Sequence, residues 1–261
     1  MNYINVLRGV LAYEFKMQIR RRSLWIVFLC FAALIFRSLL STISGPTGTG
    51  LGRLPFFSLI AEGVFISNLL LPIPFGIFLA DRMARDQRTR VDELFTSMPG
   101  SLSLRIIGKY FGSILATFLP MSVCYVIIVG LLLYSTHNIL VIPLFLLDFT
   151  IIVLPGLLFV AAFSIACPAI LWVPLYQFLF VGYWFWGNVL TPASGIPTLS
   201  ATILTPIGTY MMTGILGVKE VPLVSQATPL EGVASIALLL GIAVLVLYVL
   251  WYYLNWQQAR Q

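Results

Sequence analysis

Three ionisable side chains fall within or beside the long apolar stretches of this sequence, and any chemistry would have to start from them. Arg37 and Glu62 stand near the facing ends of two consecutive apolar segments, and Asp148 is the single charge in the 49 residues from Ile139 to Gly187. A charge at membrane depth is costly, so each needs a partner or a route to water. Arg37 and Glu62 either pair across a hairpin or snorkel separately to the surface. Asp148 is nine residues into its segment, roughly 14 Å at the rise of a helix. A carboxyl there must face a wet cavity, a partner helix or a polar break in the backbone. Its possible roles are a structural hydrogen bond, a protonated carboxyl, or a substrate or proton site.

No catalytic constellation accompanies these three. There is no Ser/His/Asp set and no close pair of carboxylates within an apolar segment. His137 sits in a short loop without a neighbouring His or Cys, and Cys30, Cys124 and Cys167 all fall in apolar segments, where they read as neither a disulfide framework nor a metal cluster. Gly45 and Gly50 have phosphate-loop spacing, but Leu51-Gly52 stands where Lys and Ser/Thr are required. The chain is therefore expected not to be an enzyme, and to bind no metal or cofactor itself.

The elements that position these residues follow from composition. The 261 residues are 60% hydrophobic and 9% charged, with a mean hydropathy of +1.00. Soluble domains carry about 25% charged residues, so the expected class is an all-α polytopic membrane protein. Six spans are expected, at about 24–43, 63–80, 106–134, 139–163, 168–187 and 232–254, each near the 20 residues a crossing needs. Pro72 and Pro74 predict a kink in the second. The turn between the fourth and fifth is expected near Ser164–Pro168, with Pro155 and Pro174 as competing breaks. Trp184 and Trp186 read as an interfacial belt. Residues 188–231 form an outer loop, within which Ile203–Leu216 is too short to span and reads as an interfacial or re-entrant helix.

Two amphipathic stretches flank the first pair of spans. Over residues 3–22, Ile4, Leu7, Leu11, Phe15 and Ile19 recur at helical spacing beside Arg20, Arg21 and Arg22. This predicts a helix lying in the bilayer interface and entering it at Arg22, or simply a basic flank. In the polar loop 81–105, Val91, Leu94, Phe95 and Met98 share one helical face, Asp92 and Glu93 fall mostly off it, and Pro99-Gly100 ends the helix. That apolar stripe packs on the membrane surface, on its own chain, or in a groove of a separate protein.

Twelve of the fifteen Lys and Arg residues precede the first span, lie in 81–109, or follow the last span. Both termini and the loop are thus expected on the cytoplasmic side, as six spans require. The net charge of +6 is explained by this placement beside spans, which excludes a nucleic-acid partner and leaves the bilayer.

This order of elements, with its loop Asp86…Arg88-Thr89…Asp92-Glu93-Leu94…Ser97-Met98-Pro99…Gly108-Lys109, resembles the membrane permeases of type-2 ATP-binding-cassette (ABC) exporters. In them a Glu-Leu-Leu-x-x-x-Pro-like helix and a later Gly-Lys entering the third span recur; here Phe95 stands where Leu is frequent. Thr205-Pro206-Ile207-Gly208-Thr209-Tyr210 is similar to the family's outer Pro…Tyr segment. The resemblance implies a second permease copy or related chain, and separate ATP-binding ABC subunits that carry ATP and Mg. It also implies a coupling helix over Val91–Met98 and Pro99 seated on the ATPase, and a connecting helix over 1–23. Export of a drug, peptide antibiotic or lipid-like substrate across a bacterial plasma membrane would follow. The competing expectations are an ion-coupled secondary transporter or channel using Asp148, and a membrane enzyme acting on lipid.

Overall fold

The protein is an all-α polytopic membrane protein. A computed structural model describes residues 3–44, 56–88, 102–190, 195–218 and 227–259. In chain order the helices are α1 (Tyr3–Ile19), α2 (Arg22–Ser44), α3 (Phe56–Leu70), α4 (Pro72–Arg88) and α5 (Leu102–Thr136). There follow α6 (Val141–Asp148), a π turn (Phe149–Val153), α7 (Leu154–Ala166), a 3-10 turn (Cys167–Ala169), α8 (Val173–Val189), α9 (Thr209–Gly214) and α10 (Pro229–Gln258).

Among the described residues five stretches are long and apolar enough to cross a bilayer: Arg22–Leu40, Gly63–Arg82, Leu102–Thr136, Val141–Ala169 and Pro229–Gln257. The sixth expected span, 168–187, appears as α8, a helix of 17 residues and about 26 Å in length. That is shorter than an untilted crossing of a 30 Å hydrocarbon core. The helix begins at Val173 because Pro174 sits in its first turn, where a missing N–H costs nothing.

Pro72, Pro155 and Pro174, each expected to disturb a span, stand in the first turn of a helix. The second span is interrupted at one residue: α3 ends at Leu70 and α4 restarts at Pro72, while the Leu71 N–H still donates to the Ser67 carbonyl (2.9 Å) and the Phe75 N–H to the Leu71 carbonyl (3.3 Å). Pro155 opens α7 directly after the π turn, in a path that stays helical. The turn between the fourth and fifth expected spans lies at Cys167–Trp172, slightly beyond Ser164–Pro168. His137 takes the left-handed conformation (φ 50°) in the tight turn before α6, and the Asn138 side chain accepts a hydrogen bond from the Leu140 N–H (3.0 Å). The last span is started by a capping box, in which Thr228 and Glu231 bond each other's backbone N–H.

The helix α5 is the central post. Its buried strip runs Ile106, Tyr110, Ile114, Met121, Tyr125, Ile128 and Leu132, and α1, α2, α4 and α6 pack around it. The helix α2 buries one narrow stripe, Leu24, Phe28, Ala32, Ile35 and Leu39, and leaves Ile26, Leu29 and Leu34 outward. In water such a helix would be unstable; in lipid the outward leucines need no cover.

At the end of the bundle away from the arginine cluster, residues 195–218 are packed into the helices. Ile207, Met211 and Met212 are fully buried. Gly208 is left-handed (φ 85°) and lies against Ile152, and Gly156 lies against the Pro206 carbonyl oxygen. The helix within the expected 203–216 piece covers only Thr209–Gly214, and its Met211 and Met212 are buried against the other helices. Trp184 is likewise no belt residue: it is buried, and its Nε1 donates to the Leu69 carbonyl (2.8 Å) beside the α3–α4 break. Trp186 does face outward.

Candidate functional site

Polar side chains concentrate where α1 meets α4 and α5. The helix α1 approaches α5 closely because α5 presents glycine there. A Cβ on Gly108 would meet Val10 at 2.9 Å, and one on Gly112 would meet the Leu11 carbonyl at 2.9 Å. Glu14 and Gln18, one turn apart on α1, are therefore pressed into the bundle and are 2% and 1% exposed. Glu14 Oε2 accepts from Arg82 Nη2 of α4, a pair buried on both sides. Gln18 Nε2 donates to Thr117 Oγ1 of α5 (2.5 Å). Just beyond the end of α1, Arg21 Nη1 donates to Asp81 Oδ2 of α4 (3.0 Å), with both side chains partly exposed.

Asp81 and Arg82, adjacent on α4, thus hold two points of the α1–α2 corner. Of the two pairs, the buried one governs the geometry. An exposed pair such as Arg21–Asp81 contributes at most about 1 kcal/mol, whereas a buried charge left alone is strongly unfavourable. Arg82 keeps Nε and Nη1 without a hydrogen-bond partner among the described residues, as do Gln18 Oε1 and Ser113 Oγ. The seam is overall neutral and carries no nucleophile–base geometry. Among the described residues no three metal-ligating side chains converge.

Placed against this seam, the expected connecting helix is partly redrawn. The helix is present, and it breaks at Arg20–Arg21 so that α2 starts at Arg22. Phe15 is half-buried, and Arg20 and Arg22 are exposed. The face turned to the protein runs through Leu7, Val10, Leu11, Glu14 and Gln18, so it takes in part of the expected apolar stripe and adds two polar side chains to it. Composition hides this, since a buried Glu and Gln on a basic amphipathic helix look like part of its wet face. The available signals were the i, i+4 spacing of Glu14 and Gln18 and the Asp81-Arg82 doublet closing an apolar span.

The expected ATPase interface, Val91, Asp92, Glu93, Leu94, Phe95, Met98 and Pro99, lies outside the described residues. The two helices that lead into it and out of it, α4 and α5, are the two that α1 grips.

The intramembrane candidates separate. Arg37 is exposed on α2, with no ion pair among the described residues. Glu62 belongs to α3, and its side chain lies outside what is described, so the proposed hairpin pair does too. Asp148 ends α6 just before the π turn and is 6% exposed. Its carboxyl has neither an ion pair nor a hydrogen bond among the described residues. No protein-family model matches this chain, and no curated protein matches it.

Proposed function

We propose that the chain is the membrane-spanning permease subunit of an ATP-driven exporter of the type-2 ABC kind. In this reading it carries a hydrophobic or amphipathic substrate and draws its energy from a separate ATPase subunit. The observation that carries the reading is the grip of α1 on α4 and α5 through Glu14–Arg82, Gln18–Thr117 and Arg21–Asp81. A partner pushing on residues 89–101 would move α4 and α5 at their junction, and buried polar contacts would pass that movement to α1 and α2. Well-packed contacts transmit displacement because a close-packed interior has little slack.

The rest of the reading follows from that device. Val91–Pro99 seats in a groove of the cytoplasmic ATPase, which holds ATP and Mg, and α1 acts as the connecting helix. Both termini are cytoplasmic, in a bacterial plasma membrane, and two permease copies or related chains enclose the pathway. The deciding experiment is co-purification in mild detergent, with ATPase activity measured on the eluate. An ATPase retained by the wild type and lost by the Leu94→Asp/Phe95→Asp double variant supports the coupling role. Partner binding and transport unaffected by the double variant would remove it.

One observation favours a second reading, an ion-coupled transporter or channel: Asp148 is buried and has no ion pair or hydrogen bond to its carboxyl among the described residues. Transport that survives ATP depletion but collapses with the proton gradient would select it.

A further inference from the structure

We propose that the corner between α1 and α2 is a binding site for one anionic phospholipid, with its headgroup on Arg20 and Arg22 and an acyl chain along the outward stripe of α2. The corner presents charge of one sign. The one acid of α1, Glu14, is turned into the bundle and paired with Arg82, and Arg21 is taken by Asp81. Tyr13, Lys16 and Arg20 recur at i, i+3 and i+7, on the side of α1 opposite Glu14 and Gln18, and all three are exposed. Arg22 is exposed as well, and neither Arg20 nor Arg22 has an ion pair among the described residues.

The two arginines stand within reach of one headgroup. They are two residues apart in sequence, so their Cα atoms are at most about 7 Å apart. The backbone around them is tied on both sides. Trp25 Nε1 donates to the Ile19 carbonyl (3.0 Å), and Arg21 Nη1 donates to Asp81 Oδ2 (3.0 Å). Arg21 is therefore the one turned to α4, and its neighbours on either side are exposed.

What continues this charge selects the ligand. Arg22, Ile26, Leu29, Ala33 and Phe36 follow at i, i+4, i+7, i+11 and i+14, a single exposed stripe on α2. Arg22 stands at its head, and the stripe stays apolar as far as Phe36, about 21 Å along the helix. Half of a bilayer's hydrocarbon is about 15 Å thick. The surface thus has the pattern of a phospholipid, charge at one end and hydrocarbon along the rest. A soluble anion would match the arginines alone, and a second protein chain would match the apolar part without needing the charge. The acids described at this corner, Glu14 and Asp81, are both already paired. A headgroup with net negative charge is therefore favoured over a zwitterionic one, whose own cation the arginines repel. The site does not depend on the permease reading.

The test is native mass spectrometry of the full-length protein in mild detergent. Dioleoylphosphatidylglycerol is the probe, and dioleoylphosphatidylcholine, identical in its chains, is the zwitterionic counterpart. The wild type is expected to hold one phosphatidylglycerol at least about tenfold more tightly than phosphatidylcholine. Arg20→Gln and Arg22→Gln should each weaken phosphatidylglycerol about fivefold, and together erase the preference. Arg8→Gln, the same charge change about three turns away on α1, should leave it intact. A large excess of sn-glycerol 3-phosphate should not displace the lipid. The proposal is overturned if phosphatidylcholine is held equally, if the double variant keeps the preference, or if Arg8→Gln weakens it as much, which would reduce the effect to net charge. Displacement by glycerol phosphate would make this a soluble-anion site, and a wild type that holds neither lipid would mean that a second copy of the chain covers the stripe; either overturns the proposal too. Both arginines are exposed, and Arg8, Lys16 and Arg21 remain to orient the first span, so folding is expected to survive. Should the double variant fail to fold, the two single variants decide, and unchanged affinity in both overturns the site.

Discussion

Arg82 on α4 pairs with Glu14 on α1 across 68 positions of sequence, and the two side chains are 1% and 3% exposed. Removing either partner alone strands a buried charge and is expected to cost about 3–5 kcal/mol, whereas Glu14→Leu with Arg82→Met should come close to neutral. Melting temperatures of Glu14→Leu, Arg82→Met and the double variant in one detergent check this. Two additive single losses would mean that the residues do not act as a pair.

The glycine contacts predict opposite signs at two positions. Gly156 lies against the Pro206 carbonyl, so Gly156→Ala must push residues 205–209 off α7. A loss of about 1–3 kcal/mol is expected from the overpacking. Gly241, within α10, has open space where a Cβ would stand. There Gly241→Ala should stabilise the helix by up to about 1 kcal/mol. Thermal unfolding of the two variants beside wild type reads both signs.

Trp184 and Asn68 bind the α3–α4 break from two sides. Trp184 donates to the Leu69 carbonyl, and Asn68 Nδ2 donates to the Ile207 carbonyl (2.6 Å). Trp184→Phe keeps most of the ring volume and strands a carbonyl, at an expected cost of about 1–3 kcal/mol. Hydrogen exchange should show faster opening of Leu69–Phe75 in Trp184→Phe, with α10 unchanged. Equal protection across both regions would assign the bond no role at the break.

The topology has a direct readout. If α8 crosses the bilayer despite its 17 residues, cysteines at Ser97 and Gln258 should be labelled by an impermeant thiol reagent from one side and a cysteine at Thr198 from the other. Labelling of Thr198 together with Ser97, and of Gln258 from the other side, would leave five crossings and put the termini on opposite sides.

The elements set by hydropathy alone were legible in the sequence: the expected spans 24–43, 106–134 and 232–254 fall within the helices found, and the short helix α1 lies where its periodicity placed it. What escaped were features decided by a partner far away in sequence. Glu14 looked like a surface acid until Arg82 met it, and Trp184 looked like a belt residue until the Pro72 break offered it a carbonyl. Pro155 could be read as a break, yet its position in the first turn of α7 makes it harmless. Asp148 was visible as an anomaly, but its lack of a partner among the described residues is a property of what surrounds it in space, which a linear pattern does not encode.

The distance in sequence between Glu14 and Arg82 also sets an order of events during synthesis. The N-terminal helix emerges with its acid already in place, and the arginine that neutralises it follows 68 residues later. At ribosomal speed that is a wait of roughly 3 to 14 seconds. For that interval α1 must stay in contact with water or headgroups. The corner between α1 and α2 can close only after the second span has entered the membrane, and its bond to Thr117 only after the third, so α1 is finished later than the two helices that follow it.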